Sequence, residues 1–150
     1  MSIINREASV ESGLKKIRWA SSYMPAMNAL RRRLEQEKPF AGLKITMSIH
    51  LEAKTAYLAL CLKEGGAEVY ATGCNPLSTQ DDVAAGLASL GVHVFARHGA
   101  TAEEYTAHLQ QALSCCPDLL IDDGGDLMEL LCGAHPELGA RLIGGCEETT

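Results

Sequence analysis

The sequence predicts an α/β protein: an open, doubly wound, mainly parallel sheet of about five strands with flanking helices, preceded by N-terminal helices. Three observations carry this expectation. From residue 43 onward, short β-branched apolar runs alternate with longer segments of helical period. The runs are nearly continuous in apolar residues, as in strands covered on both faces. Each intervening segment is long enough for a right-handed crossover between parallel strands.

The first forty residues read as two helices. Leu14, Ile17, Ala20 and Ser21 share one face, and Ala26, Leu30 and Leu34 continue an apolar stripe beyond Pro25. Proline suits the first turn of a helix and breaks an interior, so the second helix begins at Pro25. Pro39 forbids continuation. "LKITMSI" (43–49) is the first strand. "EAKTAYLALCLKE" (52–64) is a helix stopped by Gly65 and Gly66. "AEVYAT" (67–72) is the second strand, followed by a helix over 79–90 that Gly91 ends. "VHVFA" (92–96) is the third. Thr101 with Glu104 forms a capping box for a helix over 102–114. Pro117 precedes "DLLID", the fourth strand. Asp126 with Glu129 resembles a second capping box, before a helix near 127–134, and "RLIGG" (141–145) is the fifth strand. Residues 1–40 thus form a helical segment and 41–150 the sheet, with no internal repeat, linker or low-complexity stretch.

Composition narrows the function classes. The chain has 150 residues, enough for one domain with a core. A net charge of −6 opposes a sequence-independent nucleic-acid binder, and 5% aromatic residues oppose base-stacking platforms. No apolar run approaches the ~20 residues of a membrane span, and "MSIINREASVESG" lacks a secretory apolar segment. No nucleic-acid or membrane partner is expected. Six cysteines stand at 61, 74, 115, 116, 132 and 146, with no C-x-x-C pair. They read as reduced thiols of a cytoplasmic protein. Cysteines and histidines show no metal-ligand spacing, so no metal is expected.

Ligands of open α/β sheets bind beyond the carboxyl ends of the strands. Those ends are densely polar here: His50, Glu52 and Lys54 after the first strand, "GCNPLSTQDD" after the second, "DDGGD" after the fourth, and Glu147, Glu148, Thr149 and Thr150 after the fifth. Each has a structural alternative. Ser78 or Thr79 could simply cap the next helix, Asp126 could cap another, and His50 could be a hydrogen-bonded structural histidine. The concentration on one sheet edge favours a site. Neither G-x-G-x-x-G nor a P-loop is present, so the chain is poorly suited to hold a dinucleotide pyrophosphate by itself.

"GCNPLSTQDDVAAGL" closely resembles the signature of S-adenosylhomocysteine hydrolases. The resemblance extends in order through "MPAMNALRRR", "HLEAKTA", "GAEVYATGCNP", "EEYTAHLQQAL", "DLLIDDGGDL" and "GGCEETT", about residues 13 to 150. Gly86 departs from the family's alanine or cysteine; in a helix interior it is expected to cost about 1 kcal/mol relative to alanine. The resemblance implies reversible, NAD-dependent hydrolysis of S-adenosylhomocysteine to adenosine and homocysteine: the ribose 3′-hydroxyl is oxidised, homocysteine is eliminated, water adds, and the ketone is reduced again. It implies His50 and Asp123 as the proton-transferring pair near the 5′ position. Asn75 and Ser78 would shape the homocysteine side, Glu148 with Thr149 would hold the ribose, and Thr149 and Thr150 would approach the cofactor. It also implies a homo-oligomer, a tetramer in the family, with a separate NAD-binding Rossmann domain. This chain resembles the N-terminal part of such an enzyme, supplies substrate-binding residues only, and is expected to be inactive alone. Its N-terminal helices are expected to be its most loosely attached part. A non-catalytic nucleoside-binding or regulatory module is the alternative from another class.

Residues 52 and 54 bear on the base. The more familiar family pattern has threonine and then glutamine or glutamate where this chain has Glu52 and Lys54, at positions that face the purine 6-position. A lysine ammonium has three donors and no acceptor. It would complement the 6-oxo group of hypoxanthine rather than the amino group of adenine, and "HLEAKTA" resembles a thermophile-type and archaeal branch with S-inosylhomocysteine users. The adenosyl substrate is the expectation, with Lys54 paired to Glu52 or another carboxylate; the inosyl substrate is the alternative.

Overall fold

A computed structural model describes residues 2–148. The expected alternation is present. Helices α1 (Val10–Ser22) and α2 (Pro25–Glu37) precede β1 (Lys44–Ser48), α3 (Ala53–Glu64), β2 (Glu68–Thr72), α4 (Asp81–Ser89), β3 (His93–Phe95), α5 (Ala102–Leu113), β4 (Leu119–Asp122), α6 (Asp126–Cys132) and β5 (Gly144–Glu147). Pro25 opens α2, and Thr101 with Glu104 makes the reciprocal capping box of α5.

The five strands are all parallel, in the order β3-β2-β1-β4-β5. From β1 the chain winds outward to β3, then returns to lay β4 on the other side of β1 and continues to β5. Winding therefore reverses between β1 and β4, which leaves a crevice at their carboxyl ends. On one face α5 and α6 bury Leu109, Leu113, Leu120, Leu127 and Leu131. The other face carries the larger core, including Ile45, Met47, Tyr57, Val69, Val83, Leu87 and Val94, under α3, α4 and the two N-terminal helices. The N-terminal segment adds an unforeseen edge: Ile3 bridges Phe95 in parallel, with its N–H on the Val94 carbonyl at 2.8 Å.

Three local expectations are corrected. Strand five lies at 144–147, not 141–145. Register with β4 decides this: Leu119 faces Gly144 and Asp122 faces Glu147, while Arg141 turns aside to the Asp118 carboxylate at 2.9 Å. Glu147 is thus a strand residue, and a 3₁₀ turn at Pro136–Gly139 precedes it. Neither Ser78 nor Thr79 caps α4; Gln80 occupies that position without a side-chain cap. Asp126 does not cap α6 either. Gly125 is the N-cap residue, and Asp122 reaches from β4 to accept the N–H groups of Leu127 and Met128 at 3.0 and 3.1 Å.

Gly86 has a reason that composition hides. α1 crosses α4 so closely that a Cβ on Gly86 would lie 2.9 Å from the Leu14 nitrogen, and one on Gly13 only 1.8 Å from the Asp82 carbonyl oxygen. Ser12 donates to Asp82 at 2.6 Å and Lys16 pairs with it at 2.8 Å. The first helix is therefore clamped to the fold rather than loosely attached. The sign of the Gly86 effect also reverses, because overpacking outweighs helix propensity. Gly86→Ala is expected to destabilise by about 1–3 kcal/mol and Gly13→Ala by more, read as a lower urea midpoint at unchanged slope. A Gly86→Ala variant more stable than the parent would refute the close crossing.

Candidate functional site

The crevice gathers side chains from three turns. His50 follows β1, Cys74 to Ser78 follow β2, and Asp123 follows β4. The β2 turn is stitched to the β1 end by backbone bonds, Cys74 N–H to Ile49 O at 3.3 Å and Gln80 N–H to Leu51 O at 3.0 Å. His50 Nδ1 lies 2.6 Å from Ser78 Oγ, and its Nε2 lies 3.7 Å from Asp123 Oδ2. The Cys74 thiol donates to the same Asp123 oxygen at 3.2 Å. His50 is half exposed, whereas Asp123 is largely buried. A histidine beside a carboxylate, open on one side, is an arrangement that can move a proton.

His50, Cys74 and Asp123 form a donor cluster within 4.8 Å, a grouping their sequence spacing does not announce. Burial, and then the Asp123 contact, pushes the Cys74 thiol up to about 12. Without a bound cation it therefore stays a protonated donor at neutral pH.

Tyr105 on α5 ties two turns together. Its hydroxyl lies within hydrogen-bond distance of the Asp126 carboxylate and, at 3.0 Å, of the Cys74 carbonyl. Burial, and then the Asp126 contact, raises its pKa, so it remains a phenol. Asp122 is buried, and that burial pushes its pKa up. Neither Tyr105 nor Cys74 was singled out by residue type. Cys74 could have been found from its place beside Asn75 in the turn; Tyr105 carries no local signal beyond the α5 pattern.

A groove of about 430 Å³ opens between α2, α3 and the ends of β1, β4 and β5. Met24, Met27 and Leu58 give it an apolar wall, and Glu52, Lys54 and Glu148 a polar rim. Glu52 is the N-cap of α3, accepting from the N–H groups of Lys54 and Thr55 at 3.0 and 3.2 Å. Lys54 is largely exposed, with Nζ 3.9 Å from Glu52 Oε1. Glu148 hangs from β4 by its N–H on the Asp122 carbonyl at 2.8 Å. The structure thus brings together His50, Ser78 and Asp123 on one side and Glu52, Lys54 and Glu148 on the other. Asn75 joins neither through its side chain, which folds back to accept the Leu77 N–H at 2.9 Å. Thr149 and Thr150 lie outside the described residues.

The described residues do not fit a dinucleotide. The glycine turn Gly124–Gly125 stands at a helix start, where a pyrophosphate could approach. There Asp122, Asp123, Asp126 and Glu147 crowd it, and Glu147 already accepts the Gly124 N–H. Such a ring of carboxylates repels phosphate. No helix among the described residues is long and apolar enough to cross a membrane.

A family model described as S-adenosyl-L-homocysteine hydrolase matches residues 3–143. An S-inosyl-L-homocysteine hydrolase of Methanocaldococcus jannaschii is 55% identical over 140 residues, covering 93% of this chain and 34% of that protein. An adenosylhomocysteinase of Pyrococcus abyssi is 49% identical over 138 residues (92% and 33%), and one of Thermoplasma acidophilum 47% over 139 (92% and 34%). The chain spans about a third of the length of these relatives. With strands β1 to β4 inside the matched segment and His50, Ser78 and Asp123 converging at the switch point between β1 and β4, the chain belongs to the S-adenosyl-L-homocysteine hydrolase family.

Proposed function

We propose that this chain is the substrate-binding part of a hydrolase that splits a purine-nucleoside thioether of homocysteine. The observation that carries the reading is that the His50–Asp123 pair follows the same strand ends that line the groove of Met24, Met27, Glu52, Lys54 and Glu148, whose wall includes Ile49, the residue before His50. The nucleoside lies in the groove, its base toward Glu52 and Lys54 and its ribose toward Glu148. Its 5′ carbon lies at His50. Loss of homocysteine places a proton on the leaving sulfur, and addition of water returns one. His50 Nε2 and Asp123 are the groups positioned to supply and recover it. NAD, which the family resemblance implies, supplies the oxidation and re-reduction of the sugar. The described residues do not fit it, and the resemblance assigns it to a separate Rossmann domain; the family's assembly is a homo-oligomer. A cytoplasmic location accords with the six free cysteines.

The base is adenine on the first reading, because the Glu52 carboxylate 3.9 Å away already partners the Lys54 ammonium. Hypoxanthine is the second reading. It is favoured by the donor-only character of Lys54 and by the name of the 55% identical relative.

Three outcomes are expected. The 150 residues alone, given S-adenosylhomocysteine and NAD, release no homocysteine; protein-dependent release would overturn the division of labour. In the full-length enzyme, His50→Ala or Asp123→Asn lowers kcat by ~10²–10⁴-fold with substrate affinity nearly unchanged. An unaffected kcat would remove both from the chemistry. For the base, kcat/KM is compared for the adenosyl and inosyl thioethers. On the first reading the adenosyl compound wins and Lys54→Gln leaves the ratio nearly constant. An inosyl preference that this substitution reverses establishes the second.

A further inference from the structure

The inference rests on the reading of His50 as the proton-handling group and concerns which of its nitrogens does that work. Ser78 Oγ lies 2.6 Å from His50 Nδ1 and 3.0 Å from the Asn75 carbonyl oxygen. A serine hydroxyl has one proton and two lone pairs. The Asn75 carbonyl can only accept, and it takes the Thr79 hydroxyl at 3.2 Å as well; with the Ser78 hydroxyl proton directed at it, a Ser78 lone pair faces the ring. On the other side of the imidazole, Nε2 stands 3.7 Å from Asp123, beyond hydrogen-bond distance. The Asp123 oxygen nearest to it already accepts the Cys74 thiol at 3.2 Å. The short contact of the ring is therefore the one at Nδ1, and a histidine tautomer is set by the bond its other nitrogen makes.

We propose that Ser78 is a positioning residue: by donating its hydroxyl hydrogen bond to the Asn75 carbonyl and accepting from the ring, it keeps the proton of neutral His50 on Nδ1. Nε2, on the side of Asp123, is thereby the nitrogen that gives and takes the proton. The turn is constructed for this. Asn75 Oδ1 accepts the Leu77 N–H at 2.9 Å, Pro76 stiffens the backbone, and the Ser78 N–H also donates to the Asn75 carbonyl at 3.1 Å. The carbonyl is thus fixed where the hydroxyl meets it. The Asn-Pro-x-Ser segment acts through the histidine rather than on the substrate, which also accounts for the inward fold of the Asn75 side chain.

The test is direct and needs no substrate. The protein is labelled with 15N-histidine, and the His50 signals are assigned by their loss in His50→Gln. The ring nitrogens are read at a pH high enough that their shifts no longer move. Nδ1 is expected at the shift of a protonated nitrogen and Nε2 at that of a bare one. Ser78→Ala should shrink or invert the difference, and Ser78→Thr, which keeps the hydroxyl, should restore it. A proton on Nε2 in the parent protein overturns the proposal, and so does a Ser78→Ala spectrum with an unchanged tautomer. In the full-length enzyme Ser78→Ala should lower kcat by about 10²-fold with KM nearly constant, below the ~10⁴-fold loss seen where a buried carboxylate sets a catalytic tautomer. If the nitrogen shifts are as expected but no hydrolysis occurs, the proposed activity fails and the Ser78 assignment stands.

Discussion

Two parallel strands, Lys44–Ser48 and Leu119–Asp122, lie side by side, but the chain leaves them toward opposite edges of the sheet. Helices that follow diverging strands cannot cover the gap between their ends, so a crevice forms there whatever the side chains are. The site depends on this constraint. Pairing of Met47 with Ile121 sets the register, and His50 and Asp123 emerge a few residues later on either side of the gap. A slip of one residue would turn these side chains to the opposite face of the sheet.

Around the gap, carboxylates of the same turn are given different work by their surroundings. Asp122 faces into the α5–α6 layer and is spent on the start of α6, where three backbone N–H groups, those of Asp123, Leu127 and Met128, approach it. Asp126 faces outward to Tyr105, and Glu147 closes on the glycine turn. Only Asp123 is aimed at an imidazole and a thiol together. Acidic residues adjacent in sequence thus divide into structural and chemical members by the direction the strand imposes. The same crowding keeps phosphate out and protons in.

The sheet was legible because its signals are local. Apolar runs, glycine stops and the Thr101–Glu104 box each act within a few residues, and the elements formed where they point. Strand five was misplaced because apolar character marked Leu142 and Ile143, whereas pairing with β4 and the Arg141–Asp118 bond decide where the strand begins. Capping residues at α4 and α6 were misread for a similar reason, since Asp122 caps from a neighbouring strand and no periodicity reveals that. In the site, the polar turns put His50, Ser78 and Asp123 at one sheet edge, while their roles are what the family resemblance implies. The roles of Cys74 and Tyr105 come from contacts 49 and 31 residues apart, which one sequence cannot disclose.

The clamp between α1 and α4 has a bearing on biogenesis. Ser12 and Asp82 are partners 70 residues apart, and the Gly13–Gly86 crossing admits no looser seat for the helix. A chain emerging from the ribosome amino end first makes α1 long before its berth exists. The amphipathic helix must wait, with Ile17 and Ala20 uncovered, until α4 and the strands beneath it have been synthesised and closed up. Contacts that span so much chain slow folding. This waiting interval is where a translating chain of this family is open to chaperone capture and to premature self-association.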